Sequence, residues 1–196
     1  MNFDLATAHA VQLLHKLSPK LTYHDFAHTV SDVVPAVKML AEAENLSEYD
    51  HTLLVTAAYY HDVGFIELRQ GHELVSARIA GESLPHFGYS RAEIECIQDL
   101  IMATRLPTRP QTLMQSLLVD ADLDSLGRTD FWSRSMALRA EMATQKMYFT
   151  DAEWYANQIA FLSSHRYWSE SARRLRDAQK ALNLADMTAR FHAEVG

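Results

Sequence analysis

The chain has 196 residues, 48% of them hydrophobic and 22% charged, which supplies one ordinary buried core and argues against disorder. Its formal charge is −7 and its 18 Lys and Arg are scattered, so the basic footprint of a duplex-binding protein is missing. Six Gly and five Pro are too few to punctuate many short strands, and the composition leans helical.

The first stretch, MNFDLATAHAVQLLHKL, lacks the basic start, apolar run and cleavage site of a signal peptide. Its Leu5, Ala8, Val11, Leu14 and Leu17 instead follow helical spacing, ended by Ser18-Pro19. A second helix is predicted from about His24 to Glu44, with Val30, Val33, Val34, Val37 and Leu40 inside and a kink at Pro35. Ser47 and Asp50 cap a third helix, whose LLVTAAYY stretch, residues 53–60, is apolar all round and belongs at the centre. Gly64 stops it, and Gly71 precedes a fourth helix over about 73–84. Ser90 with Glu93 forms a capping box for a fifth helix carrying Ile94, Ile97, Leu100 and Ile101.

After the proline-marked loop LPTRPQT, a sixth helix leads into LLVDADLDSLG, closed by Gly127. Three more helices are predicted over 131–147, 152–163 and 169–182, with a second capping box at Thr150 and Glu153. No linker, repeat or strand pattern divides the chain. No window reaches the roughly 18 apolar residues that span a bilayer. Cys96 is the lone cysteine, which rules out an intramolecular disulfide and fits both a core position and a reducing compartment. A cytoplasmic protein without a membrane partner is the expectation.

Three groups of residues carry chemistry. His61 and Asp62 end the all-apolar third helix, so two ionisable side chains fall where burial is expected; such a pair needs a salt bridge or a metal. In Tyr23-His24-Asp25-Phe26-Ala27-His28, the two histidines stand at i and i+4, one helical turn apart on a shared face. Asp120-Ala121-Asp122 follows the apolar Leu117-Leu118-Val119, either as a turn or as carboxylates emerging from the core.

Their order, His-x-x-x-His, then His-Asp, then Ala-Asp about sixty residues further on, resembles the HD superfamily. The resemblance runs from about Leu21 to Leu184 and includes FLSSHRYW and ALNLADM; Tyr-His-x-x-x-His is also similar to the opening signature of cyclic-nucleotide phosphodiesterases. It implies an all-α, single-domain helical bundle of the HD-domain and phosphodiesterase type over 1–196, with its core at about 21–184. It also implies a divalent cation held by His28, His61, Asp62 and Asp122, because the family ligand commonly follows Ala and precedes Leu. Asp120 is the fallback ligand or a hydrogen-bonding neighbour of one. Asp25 stands where the phosphodiesterase pattern usually has Asn, which alters the expected hydrogen bonding of His24. His72 and His86 are available for a second ion, but Ala103 and Thr104 occupy the place of a further histidine. Glu73 either complements a helix N-terminus or orients a metal-bound water.

Mixed nitrogen and oxygen donors suit manganese, iron, cobalt, nickel or zinc; magnesium, which prefers oxygen alone, is the less suited member of the set. The implied activity is hydrolysis of a phosphate ester, of a nucleotide or another small phosphorylated molecule, by metal-activated water. Asp62 or Asp122 accepts the water proton, and His24 protonates the leaving oxygen. The alternative is a metal-containing module that senses a nucleotide without cleaving it. Arg69, Arg105 and Lys20 lie near the motifs as candidate phosphate contacts. His9, His15, His51, His165 and His192, with Met136, Met142 and Met147, read as structural. Nothing in the sequence sets an oligomeric state.

Overall fold

A computed structural model describes residues 1–107 and 109–196; Thr108, inside the proline-marked loop, lies outside them. The described residues form α1 (Phe3–Leu14), α2 (Val34–Ala43), α3 (Glu48–Tyr60), α4 (His72–Ser83), α5 (Arg91–Ala103), α6 (Leu113–Asp122), α7 (Phe131–Ala143), α8 (Asp151–Ser164) and α9 (Glu170–Val195). Among them there is no strand, and no helix is long and apolar enough to cross a membrane.

The centre is α3. Leu53, Leu54, Val55, Ala57, Ala58 and Tyr60 are buried around its whole circumference, as an all-apolar helix requires. α1, α2, α4, α5 and α6 pack around it. Burying a Leu or Ile side chain contributes about 1.5–3 kcal/mol, and Leu40, Leu54, Ile97, Ile101, Leu117 and Leu118 are fully enclosed in this one cluster. The cluster also takes in Ala6, Ala10 and Leu14 of α1 and Met187 of α9, beyond both ends of the stretch that resembles the HD superfamily.

The predicted second helix differs most. Residues 22–25 are bends, and the helix opens at Phe26 and passes through a π-helix over His28–Val33 before α2 begins. Pro35 has no N–H to donate to the carbonyl four residues back, and the wider π turn immediately precedes it, with the Val34 N–H donating to Thr29 instead. The expected kink at Pro35 is therefore a change of helical pitch upstream of it. α3 ends at Tyr60, not at Gly64, which lies inside a 3-10 turn over Val63–Ile66. Both capping boxes form, at Ser90 and Thr150. α7 stops four residues short of the expected end, at Ala143, and Lys146 follows with a φ of 64°. α9 runs thirteen residues beyond the expected end, continued by buried Met187 and the Asp186–Arg190 pair.

Candidate metal centre

Three elements converge on one point. The π-helix delivers His28, the end of α3 delivers His61 and Asp62, and the end of α6 delivers Asp122. The ligand-type atoms of His28, His61 and Asp122 all lie within 4.8 Å of one another. His28 Nε2 is 3.0 Å from Asp122 Oδ1 and 3.6 Å from Asp62 Oδ2. His61 Nε2 is 3.3 Å from Asp62 Oδ2 and 3.5 Å from Asp122 Oδ1. Donors bonded to one cation at about 2.0–2.2 Å stand roughly 3–3.5 Å apart, so these spacings suit a shared ion.

The protonation pattern fits the same ion. His61 Nδ1–H donates to the Ala58 carbonyl at 2.7 Å, which leaves the Nε2 lone pair facing the carboxylates. That Nε2 and Asp62 Oδ2 are both buried without a hydrogen-bond partner among the described residues, two acceptors in contact distance. Buried acceptors facing each other demand either a proton or a cation between them. With protons alone, burial works against the His61 imidazolium, but Asp62 and Asp122 outweigh it and hold its pKa well above the ordinary value. Burial likewise opposes the Asp62 and Asp122 carboxylates, while the imidazoles beside them draw both below the usual range.

His72, the first residue of α4, repeats the His61 arrangement. Its Nδ1–H donates to the Arg69 carbonyl at 2.9 Å, and its Nε2 stands 3.3 Å from Asp62 Oδ1. Asp62 thus faces an imidazole nitrogen at each oxygen. Glu73 is buried beside it, with Oε2 unpartnered among the described residues and 3.8 Å from His72 Nδ1. Gly64 makes the close approach of α4 possible. A β-carbon there would lie 2.1 Å from the His72 carbonyl oxygen, and its own N–H donates to Ser76 Oγ at 2.8 Å.

His24 and His28 do not share a helical face, because His24 precedes the helix; their rings still meet edge to face at 5.7 Å. Asp25 accepts the His28 backbone N–H at 2.9 Å and so caps the turn that carries His28. His24 is oriented from elsewhere. Its Nδ1 donates to Glu141 Oε1 at 2.7 Å, and Glu141 Oε2 accepts the Tyr23 and His24 backbone N–H groups at 2.8 and 2.9 Å. Arg69 completes the arrangement by an ion pair with Glu141. Burial opposes the Glu141 carboxylate, yet His24 and these donors lower its pKa to about 2. Sequence reading missed Glu141; its only signal is a carboxylate one position off the 131, 135, 138, 142 stripe of α7.

Asp120 and Asp122 point to different places, since residues two apart on an α-helix are about 200° apart around its axis. Asp120 accepts the Trp168 N–H at 2.8 Å, the Ser169 N–H at 2.7 Å and the Ser169 hydroxyl at 2.7 Å. It therefore ties down the start of α9 and is not directed at the cluster. His86 is exposed on the 3-10 turn Leu84–Phe87, outside the cluster. Lys20 and Arg105 are exposed and do not line the cavity beside it, and Arg69 is engaged by Glu141.

That cavity, about 490 Å³, opens between the cluster and α7–α8. Met142, read from sequence as packing only, is part of its wall, whereas Met147 is exposed. His9 bonds the Tyr60 hydroxyl at 2.9 Å and His15 stacks on Phe26, both as structural groups; Cys96 is half-buried at the edge of the core.

An all-helical domain with histidines and aspartates of distant helices meeting in its interior defines the HD type of fold, as the motif order implies. Two solved structures share it. One is described as a predicted HD superfamily hydrolase from an uncultured Thermotogales bacterium; it is 18% identical, covers 96% of this chain and 92% of its own, and superposes with a TM-score of 0.62. The other is YpgQ of Bacillus subtilis, in complex with ADP, 19% identical over 92% of this chain and 94% of its own, with a TM-score of 0.65. At these identities the likeness establishes the fold. No protein-family model and no curated protein matches the chain.

Proposed function

We propose that the chain is a metal-dependent phosphohydrolase that cleaves a phosphate ester of a small molecule. The observation that carries this reading is the pair of partnerless acceptors, His61 Nε2 and Asp62 Oδ2, 3.3 Å apart, with Asp62 lining an open cavity. His28, His61, Asp62 and Asp122 would hold the ion, and their nitrogen and oxygen donors favour manganese, iron, cobalt, nickel or zinc over magnesium. Bound there, a divalent cation supplies a Lewis acid for phosphoryl oxygen and lowers the pKa of water.

The chain's own groups supply the remainder. Asp62 and Asp122 stand ready to accept a proton at their carboxylate oxygens. His24, with Nδ1–H committed to Glu141, offers Nε2 in the cavity wall, where a leaving oxygen needs a proton. Phe65 stacks on the His24 ring at 4.6 Å and on the His72 ring at 3.9 Å, which fixes both planes. The ADP bound by YpgQ supports including nucleotides among the substrates, and the half-buried lone Cys96 fits a cytoplasmic setting.

Elemental analysis of the purified chain, followed by release of phosphate from a panel of esters with each added divalent ion, tests the reading. Metal-dependent turnover that disappears in His61→Ala supports it. Full turnover by a folded, metal-free His61→Ala variant overturns it.

A further inference from the structure

We infer that the substrate carries a single phosphoryl group on a largely apolar body of ring size or more, held between α7 and α8. This rests on the phosphohydrolase reading and narrows it.

The cavity lining has two unlike parts. One part is His24, Asp62, His72 and Asp122; the other is the apolar wall of Phe131, Leu138, Met142, Phe149 and Trp154. Trp154 is almost wholly buried, and its Nε1–H donates to Ser135 Oγ at 3.0 Å, which pins α8 to α7 and fixes the chamber's width. An apolar wall of this kind is complementary to a guest that loses apolar surface to it, since hydrated polar groups of a sugar or glycerol pressed against it would be stripped of water.

Charge sets the second limit. Among the described residues that line the cavity there is no Lys or Arg, while Asp62, Glu73 and Asp122 contribute carboxylates. A single phosphoryl group places its two negative charges on the ion and beside His24 and His72. A second or third phosphoryl group would have to lie against those carboxylates or the apolar wall, without a cation to meet it. Two neutral amides, Asn157 and Gln158, line the cavity and are available for recognition. The Gln158 side chain lines the chamber, is buried and makes no hydrogen bond among the described residues, so it is free to pair with one oxygen or nitrogen of the guest.

The test compares 1-naphthyl phosphate, glycerol phosphate, ADP and ATP on the full chain with added manganese, by phosphate release and by calorimetric binding. The expected kcat/KM for 1-naphthyl phosphate exceeds each of the others by about tenfold or more, the scale that a few apolar contacts confer. Phe149→Ser should raise its KM by about tenfold, because the variant removes one aromatic wall. Faster turnover of glycerol phosphate, ADP or ATP overturns this inference and leaves the phosphohydrolase reading standing. Binding of 1-naphthyl phosphate in preference to ADP without turnover of any ester overturns the phosphohydrolase reading and supports the chamber assignment. Binding without such a preference overturns the inference itself.

Discussion

His24 and Glu141 are 117 residues apart in the chain, yet the imidazole donates to the carboxylate at 2.7 Å while the same carboxylate holds the backbone on which the imidazole is carried. One side chain therefore sets both the position and the tautomer of the proposed proton donor. Glu141→Gln should lower kcat about tenfold or more, the scale on which losing a group that orients a functional histidine acts, with bound metal unaltered. Elemental analysis alongside steady-state kinetics checks both; a loss of metal in the variant would show that Glu141 acts through the cluster instead.

The same carboxylate gives a pH signature. Its pKa falls from the ordinary 4.5 to about 2 in the folded chain, so its stabilising contribution is complete above about pH 4.5 and is lost as pH falls toward about 2. Wild type should exceed Glu141→Gln by about 2 kcal/mol in urea unfolding at pH 6, and the gap should narrow as pH falls below about 4.5 and close only below about pH 2. A gap independent of pH would assign the stabilisation to packing.

Chelation should separate the cluster from the scaffold. Prolonged dialysis against a strong chelator is expected to abolish turnover while the helical circular dichroism persists, because the apolar cluster around α3 does not include the ligands. Manganese, cobalt, nickel or zinc should restore activity, and magnesium should do so less well. Recovery with magnesium alone would contradict the donor chemistry.

Asp120→Ala should act on stability and not on metal. It leaves the Trp168 and Ser169 N–H groups and the Ser169 hydroxyl without their acceptor, at a cost of about 2–4 kcal/mol by thermal or denaturant unfolding. Metal content should match wild type. A variant of normal stability that lacks metal would make Asp120 a ligand after all.

Gly64→Ala should weaken the fold by about 1–3 kcal/mol or more, since the new methyl group meets the His72 carbonyl and Ser76 and forces α4 outward. Displacing α4 carries His72 away from Asp62, so an accompanying fall in kcat is expected. Unfolding curves and kinetics on the same sample decide whether the two losses go together.

The sequence was most legible where local chemistry decides the outcome. The capping boxes at Ser90 and Thr150, the all-apolar α3 and the buried His61-Asp62 pair follow from spacing and from the cost of burying charge. Pairings across long chain separations left weaker traces. Glu141 reads as an ordinary helix glutamate until His24 is folded against it. The choice between Asp120 and Asp122 depends on which side of α6 faces the cluster, a rotation that two carboxylates flanking one alanine do not encode. The π-helix escaped because Pro35 signals a break without specifying whether the chain bends or widens its pitch.

α6 ends with two aspartates facing opposite ways, one at the His28–His61 cluster and one clamped to the residues that launch α9. The C-terminal helix is thereby a mechanical brace for a centre it never touches. A frameshift or protease cut that removed the chain from Trp168 onward would free the last turn of α6, and the proposed metal centre would lose its alignment although every residue of the motif survived.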